Sequence, residues 1–177
     1  ICFDTETTGL PECRNTSIYE TSKWPHIVQL SFMVYDDEAG EIVEEYDEII
    51  TIDESVCLTP KSVEIHGISR DVISERGVPI VDALLAFKRA LNSCERCIGH
   101  NISFDKRLLI VEAIRNKGFD SADNSYVQFQ FKNEFCTMLK SVEICKIEKL
   151  RGDGTVYFKY PTLLELHNHL FKKIPNN

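Results

Sequence analysis

Apolar residues run together in short stretches at the start of the chain and shift to a spacing of three and four further on, so strands are expected first and helices among strands later. Ile1 to Glu6 reads as a strand. Residues 11 to 26 hold Pro11 and Pro25 without a clean period and read as a loop. Ile27 to Tyr35 is rich in β-formers, Asp36 to Gly40 turns it, and Glu41 to Ile52 returns as an antiparallel partner. Helical spacing follows. Thr59-Pro60 opens a short helix through His66 that Gly67 stops, and Pro79 to Asn92 gathers Ile80, Ala83, Leu84, Phe87 and Leu91 on one face. Arg96 to His100 reads as a short buried strand, and Ser103 to Gly118 as an amphipathic helix. A polar loop at Asp120 to Gln128 leads to a short strand near Phe135, a helix through Glu143, a turn at Gly152 to Gly154, a strand at Thr155 to Lys159 and a last helix from Pro161 to about Phe171. This order predicts one α/β domain over residues 1–177, with a mixed sheet whose faces are covered by helices.

Composition narrows the classes. With 177 residues, 43% of them hydrophobic, the chain can bury one sizeable core. No apolar run approaches the roughly 18 residues of a membrane span, so no membrane partner is expected. The seven cysteines are scattered, and only Cys94-Glu-Arg-Cys97 has paired spacing, with no second pair at zinc-site distance. Reduced thiols and an intracellular location, cytoplasmic or nuclear, are expected. The net charge of -8 argues against a general polyanion binder. Its distribution is uneven, because residues 136 to 177 carry 7 Lys or Arg against 4 Asp or Glu. That last quarter is able to touch a phosphate backbone, although a charge run is more often a solvated face.

Candidate chemistry starts at Asp4-Thr-Glu6-Thr-Thr-Gly9-Leu10. In a strand, residues two apart share a face, so Asp4 and Glu6 stand about 7 Å apart and repel each other unless a cation lies between them. A solvated strand end is the alternative. A second constellation, Gly99-His100-Asn101-Ile-Ser-Phe104-Asp105, is a strand end, a polar turn and a helix start, where α/β sheets present functional groups. Asp105 in the first helical turn, with Asn101 or Ser103 as cap, could serve the helix dipole alone. Beside Asp4 and Glu6 it reads as a third carboxylate of one site.

Together these segments, with His66-Gly67-Ile68, resemble the DnaQ-like (DEDDh) family of 3′-to-5′ exonucleases, which includes the proofreading domains of DNA polymerases. The resemblance implies an RNase H-like fold, a mixed five-stranded sheet flanked by helices. It also implies two-metal hydrolysis of phosphodiester bonds with Mg²⁺ or Mn²⁺, two ions in the complete enzyme. In that scheme Asp4 bridges both ions, Glu6 completes the nucleophile-side ion and Asp105 holds its neighbour through water. Thr7, Gly9, Leu10, His66 and Phe104 would grip the 3′-terminal nucleotide, Leu10 and Phe104 by packing on base or sugar. His66 is equally readable as structural, His100 is read as structural, and Trp24 as the anchor of its loop. The implied substrates are single-stranded or frayed DNA 3′ ends, in proofreading or repair, with a DNA polymerase as a candidate partner. RNA is the alternative substrate, since nothing here reads a 2′-hydroxyl. A non-catalytic nucleic-acid-binding or polymerase-binding module is the rival from another class.

One family motif is missing from these residues: a histidine followed five positions later by an aspartate, which supplies the general base and a fourth metal ligand. His167 and His169 are followed at that distance by Lys172 and Ile174. The chain also opens without an initiator Met and is expected to be truncated at both ends. With three carboxylates and no base, it is expected to show little or no turnover. Incubating it with a labelled single strand and Mn²⁺ tests this, and hydrolysis that Asp4→Ala abolishes would contradict it.

Overall fold

The computed structural model describes residues 1–116 and 129–172. The expected loop at Asp120 to Gln128 and the last residues of the helix expected to reach Gly118 lie outside them. The main sheet has five strands: β1 (Cys2–Thr7), β2 (Ile27–Asp36), β3 (Glu41–Ile49), β4 (Ile98–Gly99) and β5 (Phe135–Cys136). Their order is β3-β2-β1-β4-β5, with β1, β2 and β3 antiparallel and β4 and β5 parallel to β1. This is the expected mixed five-stranded sheet.

β1 shows why the alternation matters. Phe3, Thr5 and Thr7 are buried while Cys2 and Asp4 are exposed, so one strand separates a packed inner face from an open outer face. The β2–β3 hairpin forms where Asp36 accepts bonds from the backbone N–H groups of Glu38 and Ala39, and Gly40 takes φ 71°. On the inner face, α3 (Ile80–Ser93) buries Ala83, Leu84, Phe87, Ala90 and Leu91, nearly the face its spacing predicts. The Phe87 ring meets Phe3 edge-on at 5.0 Å and Phe32 at 5.8 Å, so this helix backs β1 directly. α4 (Ile102–Arg115) shares the same core through Leu108, Leu109 and Val111.

Several elements differ from expectation. α1 (Pro60–His66) matches, capped by the Thr59 side chain and closed by Gly67 at φ 75°. A further helix, α2 (Arg70–Arg76), follows it, capped by Ser69 and burying Ile73 in a smaller cluster with Val28, Ile49, Ile52 and Ile68. Its signal was local, a Ser N-cap two residues before Asp71, and the strong stop at Gly67 masked it. Gly77 ends α2 where a Cβ would lie 2.5 Å from the Ile73 carbonyl oxygen and 2.6 Å from Thr51 Oγ1, so the chain passes there only as glycine. β4 is shorter than predicted, and the helix expected through Glu143 is divided into α5 (Thr137–Lys140) and α6 (Val142–Cys145). β6 (Glu148–Leu150), unexpected, pairs with β7 (Val156–Phe158) in a separate two-stranded hairpin. α7 (Leu163–Phe171) starts two residues later than predicted, at a capping box between Thr162 and Glu165.

Candidate active site

Asp4 and Glu6 stand together on the outer face of β1, as their spacing predicts. Between Glu6 and Thr7 the pairing with β2 shifts register, which turns the strand away just after the acidic pair. Thr7-Thr8-Gly9 is then held from two sides. The Thr8 N–H donates to the His26 carbonyl at 2.9 Å, and the Thr8 carbonyl accepts from the Thr59 N–H and the Ser62 hydroxyl, each at 3.2 Å. Thr7 Oγ1 donates to the Gly9 carbonyl at 2.7 Å. Leu10, next along, is 83% exposed and free to meet a ligand.

Asp105 reaches β1 from the first turn of α4. Because β4 runs out at Gly99, the backbone of β1 has no strand neighbour on that side beyond its first residues. The Asp105 carboxylate takes that place: Oδ1 accepts from the Thr5 N–H at 3.1 Å and from Thr5 Oγ1 at 2.7 Å. It is only 3% exposed. Asn101, expected as a candidate cap, makes no capping bond and instead takes φ 63°, a left-handed turn that swings the chain from β4 into the helix. Phe104 is half-buried at the edge of the core.

Burial raises all three carboxylates, and the charge of Asp4 raises the other two further. Burial pushes Asp105 up to about 7, and the negative charge of Asp4 adds to it against the opposing bond from Thr5. Asp4 is exposed as a residue, yet the protein atoms crowding its carboxylate raise its pKa, against the backbone N–H of Thr5 and the charge of His100. Glu6 is raised too, by burial first and then by Asp4. Three acids whose ionised forms are all disfavoured make a donor set suited to a hard divalent cation. Among the described residues no three acidic or histidine side chains converge tightly enough to enclose an ion by themselves. Oδ1 of Asp105 is committed to Thr5.

Both histidines are engaged. His66 accepts from the Ile68 N–H at Nδ1, 3.0 Å, and its Nε2 lies 3.2 Å from the Thr7 carbonyl, which makes Nε2 the protonated nitrogen. Burial holds its pKa below the usual range. His100 bonds Thr137 Oγ1 and the Pro161 carbonyl, each at 3.0 Å, and so ties α5 and the entry to α7 to the rim of the site. Trp24 is buried: its Nε1 donates to the Ser17 carbonyl at 2.9 Å, and the Arg107 guanidinium lies 4.5 Å over its ring. It anchors the loop, as expected.

Two contributors carry no signal in the sequence. Thr5 stands there only as the residue between Asp4 and Glu6. On the outer face, Asp4 pairs with Ser31 and Ser31 with Asp47, forming one row across three strands. Asp47 Oδ1 accepts from Ser31 Oγ at 2.5 Å and Gln29 Nε2 at 2.7 Å. This row lines a cleft of about 520 Å³ together with His100 and Leu163. Only strand register, which the sequence does not display, brings it to Asp4.

The Asp105 shift has a consequence for stability. A carboxyl raised from 3.8 to about 7 keeps a proton in the folded state that the unfolded chain has already released, so stability falls as pH rises through that window and levels off above it. The loss is on the order of a few kcal/mol. Asp105→Asn, which keeps an acceptor oxygen for Thr5, is expected to flatten this slope and to be the more stable protein at pH 8. Urea denaturation of both proteins at pH 5 and pH 8 without divalent ions measures it, and equal slopes would contradict the assignment.

The fold has counterparts among known proteins. Residues 1–149 match the RNase_T family model, described as exonuclease. No curated protein matches the sequence. Among solved structures, E. coli exonuclease I in complex with a dT13 oligonucleotide is 15% identical with a TM-score of 0.59, over 89% of this chain and 33% of that one. The same enzyme with a 5cy-dT13 oligonucleotide gives 15% identity and 0.62, over 95% and 34%. Exonuclease I from Methylocaldum szegediense gives 17% and 0.58, over 89% and 33%. The chain thus spans about a third of the length of these structures, and at such identities the likeness concerns the fold. With 149 of 177 residues matched by the family model, the chain belongs to the RNase_T exonucleases, the DnaQ-like group of RNase H-like fold.

Proposed function

We propose that this chain is a single domain of a metal-dependent 3′-to-5′ exonuclease that takes single-stranded or frayed DNA ends. The observation that carries the reading is the buried Asp105 carboxylate beside Asp4 at the open edge of β1, with Glu6 on the same strand. Asp4 and Glu6 would hold Mg²⁺ or Mn²⁺ directly and Asp105 through water. Bound there, two such ions would acidify the attacking water and neutralise the leaving oxygen. Thr7 to Leu10 form the rigid lip against which the terminal nucleotide sits, with Leu10 supplying apolar surface and Phe104 the wall behind it. His66 acts through Thr7: with both ring nitrogens engaged it fixes the lip rather than bonding the nucleotide. The oligonucleotides in the exonuclease I structures support single-stranded DNA as the ligand class. All seven cysteines are free, which supports an intracellular, reducing setting, and among the described residues no helix is long and apolar enough to cross a membrane.

Binding separates this reading from its rivals without requiring turnover. Mn²⁺ is expected to tighten binding of an oligonucleotide bearing a 3′-hydroxyl by about tenfold, roughly 1.4 kcal/mol. A 3′-phosphate should lose that gain and a 5′-phosphate should not. Asp4→Asn and Asp105→Asn should each remove the metal dependence. Fluorescence anisotropy with end-modified DNA measures this. Affinity indifferent to metal and to which end is blocked would overturn the reading, and a tighter ribonucleotide of the same sequence would transfer it to RNA.

A further inference from the structure

The β6–β7 hairpin divides its side chains by chemistry. Its cross-strand pairs are Glu148 with Phe158, Lys149 with Tyr157 and Leu150 with Val156. Side chains alternate along a strand, so Lys149 and Tyr157 share one face with Arg151, while Leu150, Val156 and Phe158 lie on the other. On the polar face the Arg151 guanidinium stacks over the Tyr157 ring at 4.7 Å. Of the acidic groups nearby, Asp153 binds the Thr155 N–H and hydroxyl at 2.9 and 2.7 Å to close the turn, Glu165 binds Lys159 at 2.6 Å, and Glu148 lies on the opposite face, across from Phe158. Among the described residues neither Lys149 nor Arg151 has a carboxylate partner. Two exposed cations without a carboxylate partner thus lie together with a half-buried aromatic ring on a chain of net charge -8.

The hairpin also stands beside the site. Pro161, three residues after β7, gives its carbonyl to His100, and Leu163 lines the same cleft as His100 and Asp4. Three residues reach at most about 10 Å, so the end of the hairpin lies within a few nucleotides of that rim.

We propose that this face of the hairpin, Lys149, Arg151 and Tyr157, is the contact for the single nucleic-acid strand trailing behind its 3′ end. Tyr157 with its stacked Arg151 is a platform for one base, and Lys149 takes a phosphate. The acidic centre repels a polyanion, and a basic surface a short distance along the strand offsets that repulsion. This rests on the exonuclease reading and adds a length dependence to it. A trinucleotide would fill the site without reaching the hairpin, whereas a strand of about twelve nucleotides would cover both.

Anisotropy with both lengths in Mn²⁺ tests this. Lys149→Gln with Arg151→Gln, which keeps the strand pairing, is expected to weaken the longer strand about tenfold or more, to lower its salt slope by about one, and to leave the trinucleotide unchanged. Tyr157→Ala should weaken the longer strand alone, and Val156→Thr on the opposite face should change neither. Unchanged affinity for the longer strand in the glutamine variant would overturn the hairpin contact, as would equal losses for both lengths. If the unaltered protein binds neither strand, the exonuclease reading fails, and the hairpin proposal with it.

Discussion

The bond pair from Thr5 to Asp105 is the constraint on which the rest of the site depends. A strand interior needs its N–H groups satisfied, and β4 ends too early to serve Thr5. A carboxylate from the next helix does so instead. The same contact fixes α4 against β1, sets Asp105 close enough to Asp4 to feel its charge, and keeps it out of water. Phe87 and Phe3 beneath the strand make the placement rigid from the inner face. Stability and chemistry thus pull against each other at one residue: the buried acid costs the fold something at neutral pH, and that cost is what a cation would relieve.

Much of this was legible in the sequence because it rests on short periods. The two-residue spacing of Asp4 and Glu6 gave their shared face, the spacing within Ile80–Ser93 gave the helix that backs them, and Thr59, Pro60 and Gly67 gave both ends of α1. What was not legible depends on pairing between distant segments. The row of Asp4, Ser31 and Asp47 exists only through the registers of β1, β2 and β3, and the role of Thr5 only through the early end of β4. β6 has three residues and no apolar alternation of its own, so its partner alone makes it a strand. α2 was hidden for a different reason, since a glycine that stops one helix leaves room for another to begin three residues later.

The loop before β2 shows how the site is kept in place from outside. Arg107 donates to the carbonyls of Arg14 and Thr16, and Arg115 to those of Thr21, Pro25 and Trp24, so α4 clamps the loop along its length. The helix that carries Asp105 therefore also holds the segment that returns to Thr8 through His26. The acidic pair, the third carboxylate and the lip share one support, so a change at any one of them is felt at the others.

Asp4, Glu6 and Asp105 are proposed to form one cation-binding centre. Crystals grown with Mn²⁺ and a short single-stranded oligonucleotide, measured at the manganese absorption edge, test it most directly. An anomalous peak is expected at coordination distance, roughly 2 Å, from Asp4, with Glu6 beside it and Asp105 one water away. Manganese bound only at unrelated surface carboxylates, with Asp4 and Asp105 unliganded, would contradict it.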